Sequence, residues 1–143
     1  MIPRIYLDTN IVLDLLTDRD PFYQSVLRLA TLADLKKITL VVSPLTFATA
    51  NYFIAKFENA FIAQEKLRKF RVLCEISDLN SDIIDKGLVS DFNDFEDALQ
   101  YLCALNAQCE FLLTRNGKDF KSAIIPVLTV EEYLVIFNSS FNN

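Results

Sequence analysis

The chain has 143 residues, 52% of them hydrophobic, which is the length of one ordinary domain with enough apolar side chains for a core. It contains no histidine, which excludes Ser-His-Asp and Cys-His nucleophilic systems and zinc sites ligated by histidine. The net charge of −5 counts against indiscriminate nucleic-acid binding, while the many carboxylates suit hard cations such as Mg²⁺ or Mn²⁺.

Five short runs rich in β-branched and aromatic residues predict strands at 4–7, 39–42, 72–76, 111–114 and 127–128. Longer segments of helical periodicity separate them, and this alternation predicts an α/β architecture. No internal repeat or Gly/Ser-rich linker interrupts the pattern. We therefore expect residues 1–143 to form a single domain.

Capping signals mark several predicted helix starts, either a capping side chain before a proline or the spacing of a capping box. They are Asp20-Pro21, Ser43-Pro44, Asn93 with Glu96, and Thr129 with Glu132. The helix that begins near Phe95 has an apolar stripe. The polar residues predicted to lie off this stripe are Glu96, Asp97 and Gln100.

Asp8 ends the first predicted strand and precedes a second apolar run. Its carboxylate is expected at the carboxyl edge of the sheet, where loops and helix N-termini of open parallel sheets converge on functional sites. A bound cation would offset the cost of burying the charge there. The alternative is that Asp8 only caps the helix that starts near Asn10, a role that contributes about 1 kcal/mol.

Acidic residues also open the helix near Phe95. Asp94 and Asp97 are three positions apart, so their carboxylates fall on neighbouring positions near the helix N-terminus. The helix dipole alone is a sufficient reason for them. A functional role requires Asp97 to point toward Asp8 across the edge of the sheet.

The segment after the fourth predicted strand offers further oxygen ligands in Asn116 and Asp119. Thr114 and Arg115 precede them and are placed to bind a phosphate or to orient the site. The alternative is an ordinary polar turn, since Asn116-Gly117 is a strong turn signal.

Three segments, in this order, resemble the PIN-domain family: LDTNIVLDLL, DFEDALQYLCAL and LLTRNGKDF. The family includes the VapC-type toxins of bacterial toxin-antitoxin pairs. The resemblance implies a three-layer sandwich around a central, mostly parallel five-stranded sheet, with acidic residues that hold one or two divalent ions. It also implies a ribonuclease with an antitoxin as partner.

Matched by position, Asp8 corresponds to the family's first-strand aspartate, and Asn10 to the polar residue that supports it. Asp97 matches the aspartate that opens the later helix, and Asp119 the aspartate before a phenylalanine. The resemblance implies ion ligands at Asp8, Asp97 and Asp119 and a catalytic role for these residues and Asn116. The supporting residues it implies are Asn10, Asp94, Thr114 and Thr49.

Two positions depart from the family pattern by being neutral. The segment SPLTFATANYFIAKF resembles the family's second-motif helix, but its usual acidic position falls on Thr49, with Asn51 as the nearest amide. Asn116 stands where many members have a final aspartate. Each missing carboxylate removes about one unit of negative charge from the site, so we expect one ion where other members hold two, with Asp119 as the compensating ligand.

The expected reaction is metal-assisted hydrolysis of RNA, in which Asp8 and Asp97 hold an Mg²⁺ or Mn²⁺ ion that activates water. Two other interpretations stay open. A haloacid-dehalogenase-like phosphatase also uses a strand-end aspartate, but its motif needs a second one at Asn10. A weakened PIN-like domain that binds RNA or protein without cleaving it is favoured by Thr49 and Asn116.

The segment 45–57 is apolar almost all round, and its aromatic side chains cannot all face one core. Either the next predicted helix, 61–70, covers it, or it forms a homodimer face or a groove for a partner helix, as in an antitoxin complex. The basic residues of 66–71 offer an RNA contact, although such runs are more often solvated. The aromatic residues of 45–57 are Phe47, Tyr52, Phe53 and Phe57, and the basic residues are Lys66, Arg68, Lys69 and Arg71.

Three cysteines, Cys74, Cys103 and Cys109, occur without a CxxC pair. Their odd number indicates buried thiols in a reducing compartment. No apolar stretch approaches the roughly 18 residues that span a bilayer, and the N-terminus lacks the pattern of an export signal. We therefore expect a cytoplasmic protein that does not enter the membrane.

Overall fold

The computed structural model describes residues 1–141, which fold into a five-stranded sheet and seven α-helices. The strands are β1 (Arg4–Leu7), β2 (Thr39–Val42), β3 (Cys74–Ile76), β4 (Phe111–Leu113) and β5 (Val127–Leu128). The helices are α1 (Thr9–Leu16), α2 (Tyr23–Asp34), α3 (Pro44–Phe57), α4 (Ala60–Arg71), α5 (Ser81–Leu88), α6 (Phe95–Asn106) and α7 (Val130–Phe141). A 3-10 turn spans Gly117–Phe120.

The strand order is β3-β2-β1-β4-β5, and every pairing is parallel. The predicted α/β class with a mostly parallel five-stranded sheet is therefore confirmed. β1 is central, between β2 and β4, so the residue after β1 emerges in the middle of the carboxyl edge. This is the position at which open parallel sheets place their functional sites.

Helices cover both faces of the sheet because successive strand residues point to opposite sides. Ile5 and Leu7 pack on one side in a core that includes residues of α1, α2 and α7. Tyr6 points to the other side and packs among residues of α5 and α6, such as Leu99. The expected three-layer sandwich follows directly from this alternation.

Two capping predictions need correction. α2 begins at Tyr23 instead of Pro21. The backbone carbonyl of Arg19 accepts hydrogen bonds from the amides of Phe22 and Tyr23, so the Asp20 side chain does not cap this helix. α6 is capped by Asp94 rather than Asn93. The caps predicted at Ser43 and Thr129 are confirmed by bonds from their side chains to the amides of Leu45 and Glu132.

Strand bounds differ from the prediction by one or two residues. The third strand begins at Cys74 instead of residue 72, where exposed Val72 only caps α4, and β4 ends at Leu113. All three cysteines are free and buried, as predicted. Within residues 1–141, no helix has the length and apolar character needed to cross a bilayer.

Candidate active site

Asp8 follows β1 directly and is 5% exposed. Its backbone N–H donates to the carbonyl of Leu113 at 3.0 Å, which continues the pairing of β1 with β4 by one residue. α1 starts at Thr9, yet the Asp8 side chain makes no capping hydrogen bond. The capping alternative for Asp8 is therefore wrong, and its carboxylate is directed elsewhere.

Each oxygen of the Asp8 carboxylate accepts a hydrogen bond from a buried side chain. Gln100 Nε2 donates to Oδ1 at 2.9 Å, and Thr114 Oγ1 donates to Oδ2 at 2.7 Å. Thr114 Oγ1 also accepts from the backbone N–H of Asn116 at 3.0 Å. These bonds to a charged acceptor hold the carboxylate in one orientation and tie it to α6 and to the segment after β4.

Gln100 is a site residue that the sequence did not reveal, and the prediction that it lies off the buried face of its helix is wrong. It is 1% exposed, and its Oε1 accepts from the Thr9 amide at 3.1 Å and from the hydroxyls of Thr9 and Tyr6 at 3.4 Å. Three donors at Oε1 leave Nε2 facing Asp8. The available signal was its spacing, since residues three apart, such as Asp97 and Gln100, share a helix face.

A cavity of about 260 Å³ opens at the carboxyl edge of the sheet beside Asp8. It collects predicted site residues from distant parts of the chain, namely Asp8, Asn10, Thr49, Asp94, Asp97, Asn116 and Asp119. Thr114 is 1% exposed and lies behind the cavity wall, where it bonds to Asp8. Arg115 does not line the cavity either, and its guanidinium pairs with Asp14.

The polar side chains of this cavity create a strongly negative environment. Burial and the carboxylates of Asp94, Asp8, Asp119 and Glu96 raise the pKa of Asp97 from 3.8 to about 7. Burial, Asp94 and Asp8 also raise the pKa of Glu96. Mutual repulsion of this kind is relieved by a cation, which favours ion binding over a purely structural acidic turn.

The donors fit a hard divalent ion, which takes oxygen ligands and is often held by one or two carboxylates together with water. Asp8 and Asp97 supply such carboxylates, and Asn116 adds a neutral oxygen. Among residues 1–141, no group of three His, Cys, Asp or Glu side chains is arranged to hold a metal ion. An ion at this site would therefore depend on water and neutral oxygens for part of its coordination.

The raised pKa of Asp97 predicts a specific dependence of stability on pH. The folded chain retains a proton on Asp97 up to about pH 7, whereas the unfolded chain loses it near 3.8, so this group's contribution to stability falls as the pH rises through that interval. Without divalent ions, Asp97→Asn should exceed the wild type in thermal stability by a small margin at about pH 5 and by a larger one at about pH 8. Thermal melts measured across this range test the difference.

Mn²⁺ should reverse the order at about pH 8, because an ion stabilises the folded chain that binds it, and the Asp97→Asn variant binds it less well. Asp85→Asn serves as control, since Asp85 is exposed on α5 and does not line the cavity. A constant difference between Asp97→Asn and wild type from about pH 5 to 8 would contradict the assigned environment of Asp97.

Known proteins are similar to this chain in sequence. A sequence model described as "PIN domain" matches residues 4–118. Ribonuclease VapC1 of Aquifex aeolicus (strain VF5) is 25% identical over 141 residues, which cover 95% of this chain and 96% of that protein.

Solved structures have the same fold. One is VapBC2 from Rickettsia felis bound to a promoter DNA fragment, with a TM-score of 0.60 and 26% identity over 87% of this chain and 96% of that one. Another is a toxin-antitoxin complex from Klebsiella pneumoniae, with a TM-score of 0.65 and 23% identity over 88% of this chain and 97% of that one. The family model covers well over half of the sequence and includes Asp8, Asp97 and Asn116. The chain therefore belongs to the PIN domain family.

Proposed function

We propose that this chain is a divalent-metal-dependent endoribonuclease that hydrolyses phosphodiester bonds in RNA and acts as the toxin of a toxin-antitoxin pair. The observation that carries the proposal is the acidic cavity at the end of the central strand, where Asp8, Asp97 and Asp119 face one space. Similarity to Ribonuclease VapC1 along nearly the whole chain supports the same activity.

The proposed roles follow from the position of each side chain. Asp8, Asp97 and Asp119 serve as metal ligands, and Asn116 acts with them as a catalytic residue that offers a neutral oxygen. The supporting residues are Asn10, Asp94, Thr49 and Thr114. Thr114 holds Asp8, Asp94 caps α6, and Asn10 and Thr49 line the cavity and orient ligands or water.

Divalent-metal dependence is general among PIN ribonucleases, and we propose Mg²⁺ or Mn²⁺ for this chain because its donors are all oxygens. Such an ion lowers the pKa of bound water and stabilises charge on the phosphate. The protein's part would be to hold the carboxylates that bind the ion and to place the scissile phosphate next to that ion.

A direct assay tests this proposal. Purified protein should cleave a structured RNA in Mg²⁺ or Mn²⁺, EDTA should stop the reaction, and added Mn²⁺ should restore it. The cleavage products should end at a few defined internal positions, as expected of an endonuclease. RNA that stays intact in either ion, with protein shown to be folded by circular dichroism, would refute the ribonuclease proposal.

A second candidate is a non-catalytic binding module for RNA or protein. It is favoured by the neutral residues Thr49 and Asn116 in the cavity and by the lack, within residues 1–141, of three acidic side chains arranged around one ion. Calorimetric titration with Mn²⁺ separates the two candidates. Ion binding that weakens in Asp97→Asn supports the nuclease, whereas binding of RNA without any ion binding supports the module.

α3 and α4 expose four aromatic side chains, Tyr52, Phe53, Phe57 and Phe61, which we call the exposed aromatic surface. These side chains are 41% to 77% exposed, and Phe53 lines the cavity as well. We propose that an antitoxin helix covers this surface, because similar structures are toxin-antitoxin complexes and apolar grooves suit amphipathic helices. A homodimer is our second prediction for this surface, and light scattering with and without the protein encoded beside this one tests both.

The basic run of α4 is largely committed to intrachain contacts, so we do not assign it to RNA. Lys66 pairs with Glu58 at 3.0 Å, Arg68 with Glu65 at 2.6 Å, and Arg71 donates to the carbonyl of Cys74.

We further propose a cytoplasmic location, supported by the free buried cysteines, and a single domain for residues 1–143, supported by the packing of α1 and α7 in one core.

A further inference from the structure

We propose that Asp14 is a positioning residue of this active site, which acts through Arg115 to hold the segment carrying Asn116 and Asp119 beside Asp8. The inference rests on the proposed ribonuclease function. Neither Asp14 nor Arg115 lines the acidic cavity, so their contribution is indirect.

Asp14 is a buried charge in an apolar part of α1. Its side chain is fully buried, and its neighbours Leu13 and Leu15 pack in apolar clusters. Burial raises its pKa, and the nearby guanidinium groups of Arg115 and Arg19 oppose that rise. Replacing a buried ion pair with apolar residues often leaves stability unchanged or higher, so stability alone is a weak reason for an aspartate here.

Arg115 meets Asp14 with two nitrogens. Its Nε lies 2.9 Å from Oδ2, and its Nη2 donates to Oδ1 at 3.3 Å. The guanidinium also lies over the ring of Phe22, with Cζ 4.2 Å from the centroid. A two-point bond together with stacking fixes both the position and the plane of the guanidinium, which a lysine would not achieve.

The backbone next to Arg115 leads straight into the candidate site. Thr114 bonds to Asp8 at 2.7 Å, and the amide of Asn116 donates to the Thr114 hydroxyl. The segment after β4 is thus fixed at two consecutive residues, by Thr114 to Asp8 and by Arg115 to Asp14. Asn116 and Asp119 are exposed and follow this double attachment, so their placement in the cavity depends on it.

Arg19 provides a matched comparison. Its Nη1 lies 3.5 Å from Asp14 Oδ1, its side chain is 45% exposed, and its backbone precedes α2 rather than the cavity segment. Arg19→Gln and Arg115→Gln each remove one cation from Asp14. If the cations only compensate the buried charge, Arg115→Gln should lower stability more than Arg19→Gln because Arg115 is the nearer cation, and the activity of the folded protein should stay normal in both variants. If the pair positions the site, only Arg115→Gln should lower activity.

The experiment measures kcat, KM and Mn²⁺ affinity for Asp14→Asn, Arg115→Gln and Arg19→Gln. We expect the first two variants to lose about 10- to 100-fold in kcat or in Mn²⁺ affinity with little change in KM, because residues that orient metal ligands have effects of this size. Arg19→Gln should stay within about two-fold of wild type. A raised KM in Arg115→Gln with normal kcat in Asp14→Asn would overturn the proposal, since Arg115 would then contact RNA directly.

A double variant excludes a purely structural role. Asp14→Leu with Arg115→Met removes the pair without leaving a buried charge unpaired, so its thermal stability should recover relative to Asp14→Leu alone. Positioning predicts that kcat stays low in this double variant, whereas recovery of kcat together with stability would overturn the proposal.

A measurement without RNA keeps this inference separate from the proposed function. Amide hydrogen exchange at Asn116 and Asp119 should be at least about ten-fold faster in Asp14→Asn than in wild type and unchanged in Arg19→Gln. Unchanged exchange in Asp14→Asn would overturn the positioning role. If exchange is faster in Asp14→Asn but the wild-type protein cleaves no RNA, the positioning role stands and the ribonuclease proposal alone is refuted.

Discussion

Asp8→Asn should lower RNA cleavage by about a thousand-fold or more, because a metal ion supplies several kcal/mol of transition-state stabilisation and depends on this carboxylate. The fold should survive the change. Asparagine keeps an oxygen to accept from Gln100 Nε2, and its amide group can donate to Thr114 Oγ1, so both buried partners stay bonded. Cleavage rates and a thermal melt of the same sample measure both effects.

Asp85→Asn is the matched control for this loss of charge, since Asp85 is exposed on α5 and outside the cavity. It should cleave RNA at the wild-type rate. If Asp8→Asn retained wild-type activity with a normal melt, Asp8 would not be a ligand of the catalytic ion. If the Asp8→Asn protein did not fold, Asp8 would have a structural role beyond its two hydrogen bonds to Gln100 and Thr114.

Gln100→Leu should be the most destabilising of these single substitutions, at about 3 kcal/mol, because it leaves the Tyr6 hydroxyl, the Thr9 amide and Asp8 Oδ1 without their buried partner. For a chain of this size the loss corresponds to a melting temperature lower by about 10 °C. Cleavage should also fall by about 10- to 100-fold, since Asp8 loses one of the two groups that orient it.

Gln24→Leu is the control, because Gln24 is exposed on α2, and it should change stability by less than about 0.5 kcal/mol. Gln100→Glu adds a more selective comparison. It keeps the acceptor for Thr9 but turns a carboxylate oxygen toward Asp8. The variant should therefore be less stable to heat at about pH 8 than at about pH 5, where a proton shared by the two carboxylates relieves their repulsion. Wild-type stability in Gln100→Leu would contradict the buried network.

The sequence was sufficient to predict the fold because its signals are local and repeated. Branched residues at β1 and β2 and the cap Ser43-Pro44 each specify one element, and the alternation of elements specifies a parallel sheet. Strand ends then placed Asp8 and Asn116 at one edge. Helix capping was less predictable. The start of α2 depends on backbone hydrogen bonds to the Arg19 carbonyl, and the residue types of this segment do not indicate such bonds.

Two parts of the site depend on contacts across long stretches of sequence and could not be predicted. From sequence alone Gln100 is predicted to be a polar surface residue, because its contacts with Tyr6 and Thr9 form only when the sheet assembles. Asp14 reads as one charge in an apolar helix until Arg115, 101 positions later, pairs with it. Helical periodicity describes each helix alone, and it therefore does not indicate which polar residue the tertiary fold will bury.

The bonds of Asp8 also bear on when a growing chain can become active. Asp8 is made before its partners Gln100 and Thr114, which lie 92 and 106 positions later. A nascent chain therefore carries the aspartate through the synthesis of 106 further residues before both side chains that orient it are present. For an enzyme that cuts RNA, this separation would delay activity until β4 has left the ribosome and paired with β1 in the sheet.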